Sequence, residues 1–424
     1  MEEQGAEENL TWFVGIDWAT EAHEVCVVDN AGKKVAAKSF PHSGEGLAAL
    51  CDWLLKVTLH AHPCAIAVVI ELVRGALVST LLERGFQVYS CNPKQSDRLR
   101  DRHSMAGAKS DALDAFVLAE AARKDRVLLR KIQPESAEVA VLRELSRAHA
   151  DLTGDALRLE NRLREQLLRY YPQMLAFGSD LDELWRLELW ELAPTPDRAS
   201  KLKVTTVKSM LRRHRIRRVT ADGVVKTLQE LKLFVAPGVT EAAVLRIRTL
   251  IPQLRALREQ LRLVDKQITE MLDSMTGEED EQSSEQRDVT ILMKLPGVGK
   301  IVASTLIAEA SELLRTRDYH QMRAIAGVAP ITRQTGKQGR NKGPTPFVSM
   351  RRACNGRLRT ALWYWAMAAA ANDPYWKAAS NQLRERGKSL AHTRRVIGDR
   401  LLRTLCACLR AGTHWDPLRH SRVA

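Results

Sequence analysis

Along the first 130 residues the apolar positions switch repeatedly between short runs and helical spacing. Thr11 to Trp18, Glu24 to Val28 and Lys34 to Phe40 read as strands joined by tight turns, with Asp29-Asn-Ala-Gly32 as a hairpin signal. An amphipathic helix is expected at Leu47 to Val57. The run Ala65 to Ile70 is apolar without alternation, the pattern of a strand covered on both faces. Beyond it come a helix at Gly75 to Arg84, a strand at Phe86 to Cys91 that Pro93 ends, a basic connection from Lys94 to Lys109, and a helix that Ser110 caps. This alternation predicts a mixed α/β domain over residues 10–130.

Residues 135–276 carry a helical period instead. Leu142, Leu145, His149, Leu152, Ala156, Leu159, Leu163, Gln166 and Tyr170 recur at alternating steps of three and four, the seam of a coiled coil. Ile247, Leu250, Leu254, Leu257, Leu261, Val264, Ile268 and Met271 repeat the pattern, and Pro252 is expected to begin or kink that helix. Two antiparallel helices of one chain, or a seam between two chains, would each explain it. The segment from Gly277 to Gln286 is acidic and has no apolar residue, which marks a joint. An α-helical domain over residues 287–414 follows. In it, Leu295-Pro-Gly-Val-Gly299-Lys300 lies between two helical stretches as a helix-hairpin-helix-like element would.

Charge narrows the partners. Lys and Arg number 65 against 51 Asp and Glu, a formal net charge of +14, so polyanions are the natural ligands. From Arg198 to Arg218 the chain carries Lys201, Lys203, Arg212, Arg213 and Arg215 among other bases, with no acid after Asp197. A second such stretch, Ile331 to Thr360, holds Arg333, Lys337, Arg340, Arg351 and Arg352 and no acid. A solvated helix face is the plain explanation; contact with a nucleic-acid backbone is the one that supplies a counter-charge. Gly297, Gly299 and Lys300 join the candidate contacts, because a glycine turn lets backbone amides approach a phosphate.

A membrane partner is disfavoured, since the longest strongly apolar stretch, Ala361 to Ala371, is shorter than the roughly 20 residues a spanning helix needs. The acidic start, Met1 to Asn9, is not a signal peptide, so a cytoplasmic protein is expected. Seven cysteines without C-x-x-C spacing read as reduced thiols, and His60-Ala-His62-Pro-Cys64 as a connecting loop rather than a metal site.

The chemistry concentrates in four carboxylates. Asp17 ends the first strand in Gly15-Ile-Asp17, Glu71 ends the apolar strand in Val68-Val-Ile-Glu71, and Asp111 and Asp114 share a helix face in Lys109-Ser-Asp111-Ala-Leu-Asp114-Ala. Any one acid in such a place is ordinarily a cap or a surface charge. Four converging on one sheet edge would repel one another unless divalent cations, Mg²⁺ or Mn²⁺, sat between them, and paired metal ions are the usual means of phosphodiester chemistry.

These motifs resemble the insertion-sequence transposases of the one-ten type, and the likeness extends over nearly all of the chain. That family's amino-terminal domain is RuvC-like, of ribonuclease-H type, with an Asp-Glu-Asp-Asp tetrad that falls on Asp17, Glu71, Asp111 and Asp114. Pro296-Gly-Val-Gly299, Ala326-Gly-Val-Ala-Pro330, Thr335-Gly-Lys337 and Arg357-Leu-Arg359-Thr-Ala-Leu362 look like its carboxy-terminal transposase domain. The resemblance implies that the tetrad-bound metals assist a hydroxyl from the carboxy-terminal domain, normally a serine just before Gly-Lys. Here that position is Thr335, whose oxygen is secondary and whose β-branch restricts χ1; Ser349 is the other hydroxyl on the same basic segment. The likeness further implies a structured guide RNA, DNA as substrate, and assembly as a dimer or tetramer.

Two other functions share the motifs. A RuvC-like nuclease or junction resolvase would use the metals to activate water and form no protein–DNA bond. A decayed relative would bind nucleic acid without cutting it.

Overall fold

The protein is described by a computed structural model covering residues 10–102, 110–276, 284–333 and 347–417. It divides into two compact units, Met1–Glu135 and Ser136–Ala424.

The first unit is a six-stranded mixed sheet. An antiparallel meander comprises β1 (Trp12–Asp17), β2 (Ala22–Val28) and β3 (Lys34–Pro41). After α1 (Gly44–Val57), strand β4 (Ile66–Ile70) returns parallel to β1. Helix α2 (Ala76–Glu83) then leads to β5 (Gln87–Ser90), parallel to β4. Helices α3 (Pro93–Arg100) and α4 (Asp111–Lys124) precede the short edge strand β6 (Arg130–Lys131). The resulting order, β3-β2-β1-β4-β5-β6, is consistent with a ribonuclease-H-like domain.

All five residues of β4 are buried, because the strand lies inside the sheet with helices on both sides. Ile66, Val68 and Ile70 join Leu50 and Leu54 of α1 and Leu77 and Leu81 of α2 in one core. Ala67 and Val69 face the other way, toward Ala115, Leu118 and Ala122 of α4. That two-sided burial is what the unbroken apolar run encodes. The β2–β3 turn forms at the expected place: Gly32, at φ +84°, donates its N–H to the Asp29 carbonyl at 3.0 Å.

One element departs from expectation. Of the stretch expected as a basic connection, Pro93–Arg100 forms helix α3, opened by a capping box in which Asn92 Oδ1 accepts from Gln95 N and Gln95 Oε1 accepts from Asn92 N, while residues 103–109 lie outside the described residues. Pro93 ends the strand and also begins this helix, since at the first helical position its missing N–H is no loss.

In the second unit two long helices, α5 (Ala137–Tyr170) and α10 (Val239–Ser274), pack against each other. Leu142 of α5 shares a core with Ile268 and Leu272 of α10, whereas Leu159 and Leu163 share another with Leu250 and Leu254, so the helices run antiparallel. His149 Nε2 lies 3.2 Å from Asp265 Oδ1 midway between them. Pro252 neither begins α10 nor ends it; the position is solvent-exposed, where water can serve the carbonyl that loses its partner.

Between the long helices lie α6 (Leu184–Leu192), α7 (Pro196–Ala199), α8 (Val204–Arg213) and α9 (Ala221–Leu228). After them come α11 (Ser284–Met293), α12 (Lys300–Thr316), α13 (Tyr319–Ile325), the hairpin β7 (Pro330–Arg333) and β8 (Phe347–Met350), α14 (Gly356–Asn372), α15 (Pro374–Glu385) and α16 (Leu390–Ala411). No helix among the described residues is long and apolar enough to cross a membrane.

Candidate active site

The sheet brings two of the four carboxylates together at one edge. Ile16 of β1 is in register with Ile70 of the parallel strand β4, and Asp17 and Glu71 follow them, both half-buried. The carboxyl ends of parallel strands are where open α/β sheets place their sites. Glu71 also faces the end of β5, since its charge adds to the burial that pushes the Cys91 thiol up to about 11.

Helix α4 carries the other two. Ser110 caps it by accepting from Leu113 N at 3.3 Å, and Asp111 and Asp114 fall in its first turn, where the helix dipole favours negative charge. Asp111 is exposed and Asp114 is buried, 4% accessible. The helix lies directly on β1: a Cβ at Gly15 would stand 2.0 Å from the Ala115 carbonyl and 2.3 Å from Ala119 N. Gly15 is therefore needed for α4 to sit this close to β1.

Asp114 already has a cation. Arg100 Nε donates to its Oδ1 at 2.5 Å, while Arg100 Nη1 donates to Asp97 Oδ1 at 3.0 Å. Among the described residues no three His, Cys, Asp or Glu side chains are grouped so as to hold a metal ion. The arrangement thus gathers the acids by element but does not fit a metal pair as it stands. Arg100 is a site residue that sequence reasoning missed; the only available signal was the Asp97/Arg100 spacing, on a helix whose polar residues read as a connection.

The basic run from Arg198 to Arg218 folds as α7, α8 and their flanks. Val207, Met210 and Leu211 bury one face of α8 against Trp190 and Val224, so the bases are turned outward. Lys201, Lys203, Arg212 and Arg215 are exposed and form no ion pair with described residues, whereas Arg213 is paired with Glu188, and Arg218 with Glu183. The counter-charge for those two comes from α6 and its cap rather than from a ligand.

In the carboxy-terminal part, Gly297 has a structural reason to be glycine: its φ is +77°, and a Cβ would lie 2.4 Å from Ala369 N of α14. The turn is fastened there by Trp365 Nε1, which donates to the Pro296 carbonyl at 2.8 Å. Gly299, by contrast, caps α12 with open space around its Cα, and Lys300 lies 3.9 Å from Asp273. Arg351 and Arg352 are exposed just after β8. Arg333 ends β7 opposite Phe347, and Ser349 sits opposite Ile331. Thr335, Lys337 and Arg340 lie outside the described residues.

Comparison with known proteins shows the family. A DEDD transposase model of the IS110 group matches residues 14–172, and a model described as transposase IS116/IS110/IS902 family matches residues 289–381. The "Mini-circle putative transposase for IS117" of Streptomyces coelicolor is 31% identical over 97% of both chains. The "Putative transposase y4uE" of Sinorhizobium fredii is 44% identical over 51% of this chain, which spans 61% of that relative's length. The insertion element IS110 uncharacterized 43.6 kDa protein of Streptomyces coelicolor is 26% identical over 96% of both.

Proposed function

Since the chain belongs to the IS116/IS110/IS902 family of transposases, enzymes of DNA transposition, we propose that it cleaves and rejoins DNA by phosphoryl transfer at the edge formed by Asp17, Glu71, Asp111 and Asp114. What supports this is the register of β1 with β4, which pairs Ile16 with Ile70, the residues just before Asp17 and Glu71, together with the close seat of α4 on Gly15. Like charges brought toward one edge oppose folding, and of the four acids Asp114 is offset by Arg100. The proposed cofactor is Mg²⁺ or Mn²⁺, which when bound would offset that repulsion and polarise the phosphate. With Arg100 seated on Asp114, the edge does not yet admit it.

In this proposal Thr335 is the nucleophile. Its Oγ1 forms a bond to phosphorus as one backbone P–O bond breaks, the threonine proton being lost and the departing sugar oxygen gaining one. What supports the assignment is its place in Thr335-Gly-Lys337, on the segment joining β7 to β8. The exposed bases Lys201, Lys203, Arg212, Arg215, Arg351 and Arg352, with the α12 N-terminus at Gly299, are proposed to hold DNA backbone. A structured guide RNA, dimeric or tetrameric assembly, and a cytoplasmic location beside the nucleoid complete the proposal; the surplus of positive charge supports the first and last of these.

The test is a suicide DNA substrate carrying the element ends, incubated with and without flanking transcript. Thr335→Ala should abolish the covalent protein–DNA adduct, and Ser349→Ala should keep it. An adduct retained in Thr335→Ala would transfer the role to another group. Cleavage without any adduct would favour a water-using nuclease.

A further inference from the structure

Asp114 is buried, and a buried carboxylate must be neutralised or paired. The group that pairs it is held firmly by its surroundings. Arg100 is the last residue of α3, where the helix dipole favours a cation. Its own helix is fixed at the start by the Asn92/Gln95 capping box and by Gln95 Nε2, which donates to the Leu128 carbonyl at 3.2 Å. Leu99 packs into the core that contains Leu118 of α4, and Ser96 is buried. Beyond Arg100, Arg102 Nη1 donates to Asp125 Oδ2 at 2.8 Å, a second tie to the far end of α4. Asp97 takes the other side of the Arg100 guanidinium at 3.0 Å, which sets its orientation.

A guanidinium stays charged at every pH at which the protein is folded, so pH does not release it. A divalent ion seeking the Oδ1 atom of Asp114 meets a cation already 2.5 Å away. Both cannot hold that oxygen at close range, since their like charges repel beside a carboxylate that is itself buried. We propose that Arg100 is a built-in counter-cation that keeps the carboxylate edge closed to metal, and that metal loading requires Arg100 to let go of Asp114. The proposal rests on the carboxylate edge being the metal site, and the experiment below separates the two.

The full-length protein is titrated with Mn²⁺ without DNA, and free Mn²⁺ is read by electron paramagnetic resonance. Arg100→Gln should bind Mn²⁺ about tenfold more tightly than wild type or better, a usual size for coupling through one shared group. Arg100→Lys, which keeps the charge, should stay near wild type. Asp17→Asn and Asp114→Asn should lose the site in the Arg100→Gln background. If those two variants lose binding while Arg100→Gln is no tighter than wild type, the counter-cation role is overturned and the carboxylate site stands. If they leave binding unchanged, the metal lies elsewhere and both ideas fall. Hydrogen exchange on wild type covers the case of a variant that does not fold. Saturating Mn²⁺ should raise exchange in the last turn of α3, and unchanged exchange there with Mn²⁺ bound would also overturn the role.

Discussion

Gly15 and Ala115 meet so closely that a single added methyl group on Gly15 would stand 2.0 Å from the Ala115 carbonyl oxygen. The two nearest neighbours of that imaginary methyl, the Ala115 carbonyl oxygen and Ala119 N, are backbone, which cannot rotate away. Gly15→Ala must therefore push α4 off the sheet, and the displacement falls on the helix that carries Asp111 and Asp114. We expect about 3 kcal/mol of lost stability, at the upper end of overpacking costs. Urea unfolding would check it, and a loss below about 0.5 kcal/mol would show that the sheet and α4 do not touch in this way.

Glu120, buried on the same helix, accepts from Arg123 Nε at 2.8 Å and Nη2 at 2.9 Å and lies 2.5 Å from Lys124 Nζ. The Arg123 hydrogen bonds, reinforced by Lys124, hold its carboxyl down at about 2, below the ordinary 4.5. A depressed acid contributes its full stability above about 4.5 and loses it as pH falls toward about 2, when the native state must take up the proton. Glu120→Gln should cost on the order of 2 kcal/mol at neutral pH. Thermal melts from pH 6 down to pH 2.5 should converge for the two proteins; a gap that stays constant across that range would contradict the ion-pair explanation.

In the second unit, Tyr170 donates to the Pro194 carbonyl at 2.7 Å and accepts from Trp190 Nε1 at 2.9 Å, all within the core shared by α5 and α10. Burial pushes its hydroxyl up to about 12, so it stays protonated and donating at physiological pH. Tyr170→Phe leaves a buried donor and a carbonyl without partners, at about 1–3 kcal/mol. Denaturant unfolding monitored by tryptophan fluorescence would measure it. A neutral substitution would mean that water takes over both bonds.

The two kinds of base on the run from Arg198 to Arg218 should behave differently. Replacing Lys201, Lys203, Arg212 and Arg215 together with Ala removes charges not already paired to described acids, and the salt dependence of DNA binding should flatten by about 0.9 for each phosphate no longer neutralised. Arg213→Gln and Arg218→Gln break pairs with Glu188 and Glu183 instead. They should change affinity less while loosening α6 from its neighbours. Equal effects on the salt slope from both sets would remove the distinction.

Much of the first unit is legible in the residues alone, because its signals are local. Ile66 to Ile70 lack alternation since both faces of β4 are covered, and Ser110 announces α4 because its side chain does the capping. Helix α3 is hidden since it has almost no apolar stripe; Leu99 and Ser96 are its only buried residues, and its one mark is the capping box. Interactions made across the fold leave no such trace. The periodicity of α5 and α10 is the same whether the seam lies within a chain or between two, and the packing of Leu142 with Leu272 settles only the first. The acids facing Arg213 and Arg218 sit on another helix, so the run reads as unneutralised. Arg100 and Asp114 are 14 positions apart on separate helices, and nothing in either one's neighbourhood in the chain points to the other.

Whether the four carboxylates act as one catalytic group is tested most directly by cleavage of DNA bearing the element ends, with the flanking transcript and Mg²⁺ or Mn²⁺ supplied. Asp17→Asn, Glu71→Gln, Asp111→Asn and Asp114→Asn should each lower the cleavage rate about a hundredfold or more while DNA affinity is kept. Any one of these variants cutting at the wild-type rate, or wild type cutting equally well in excess chelator, would contradict it.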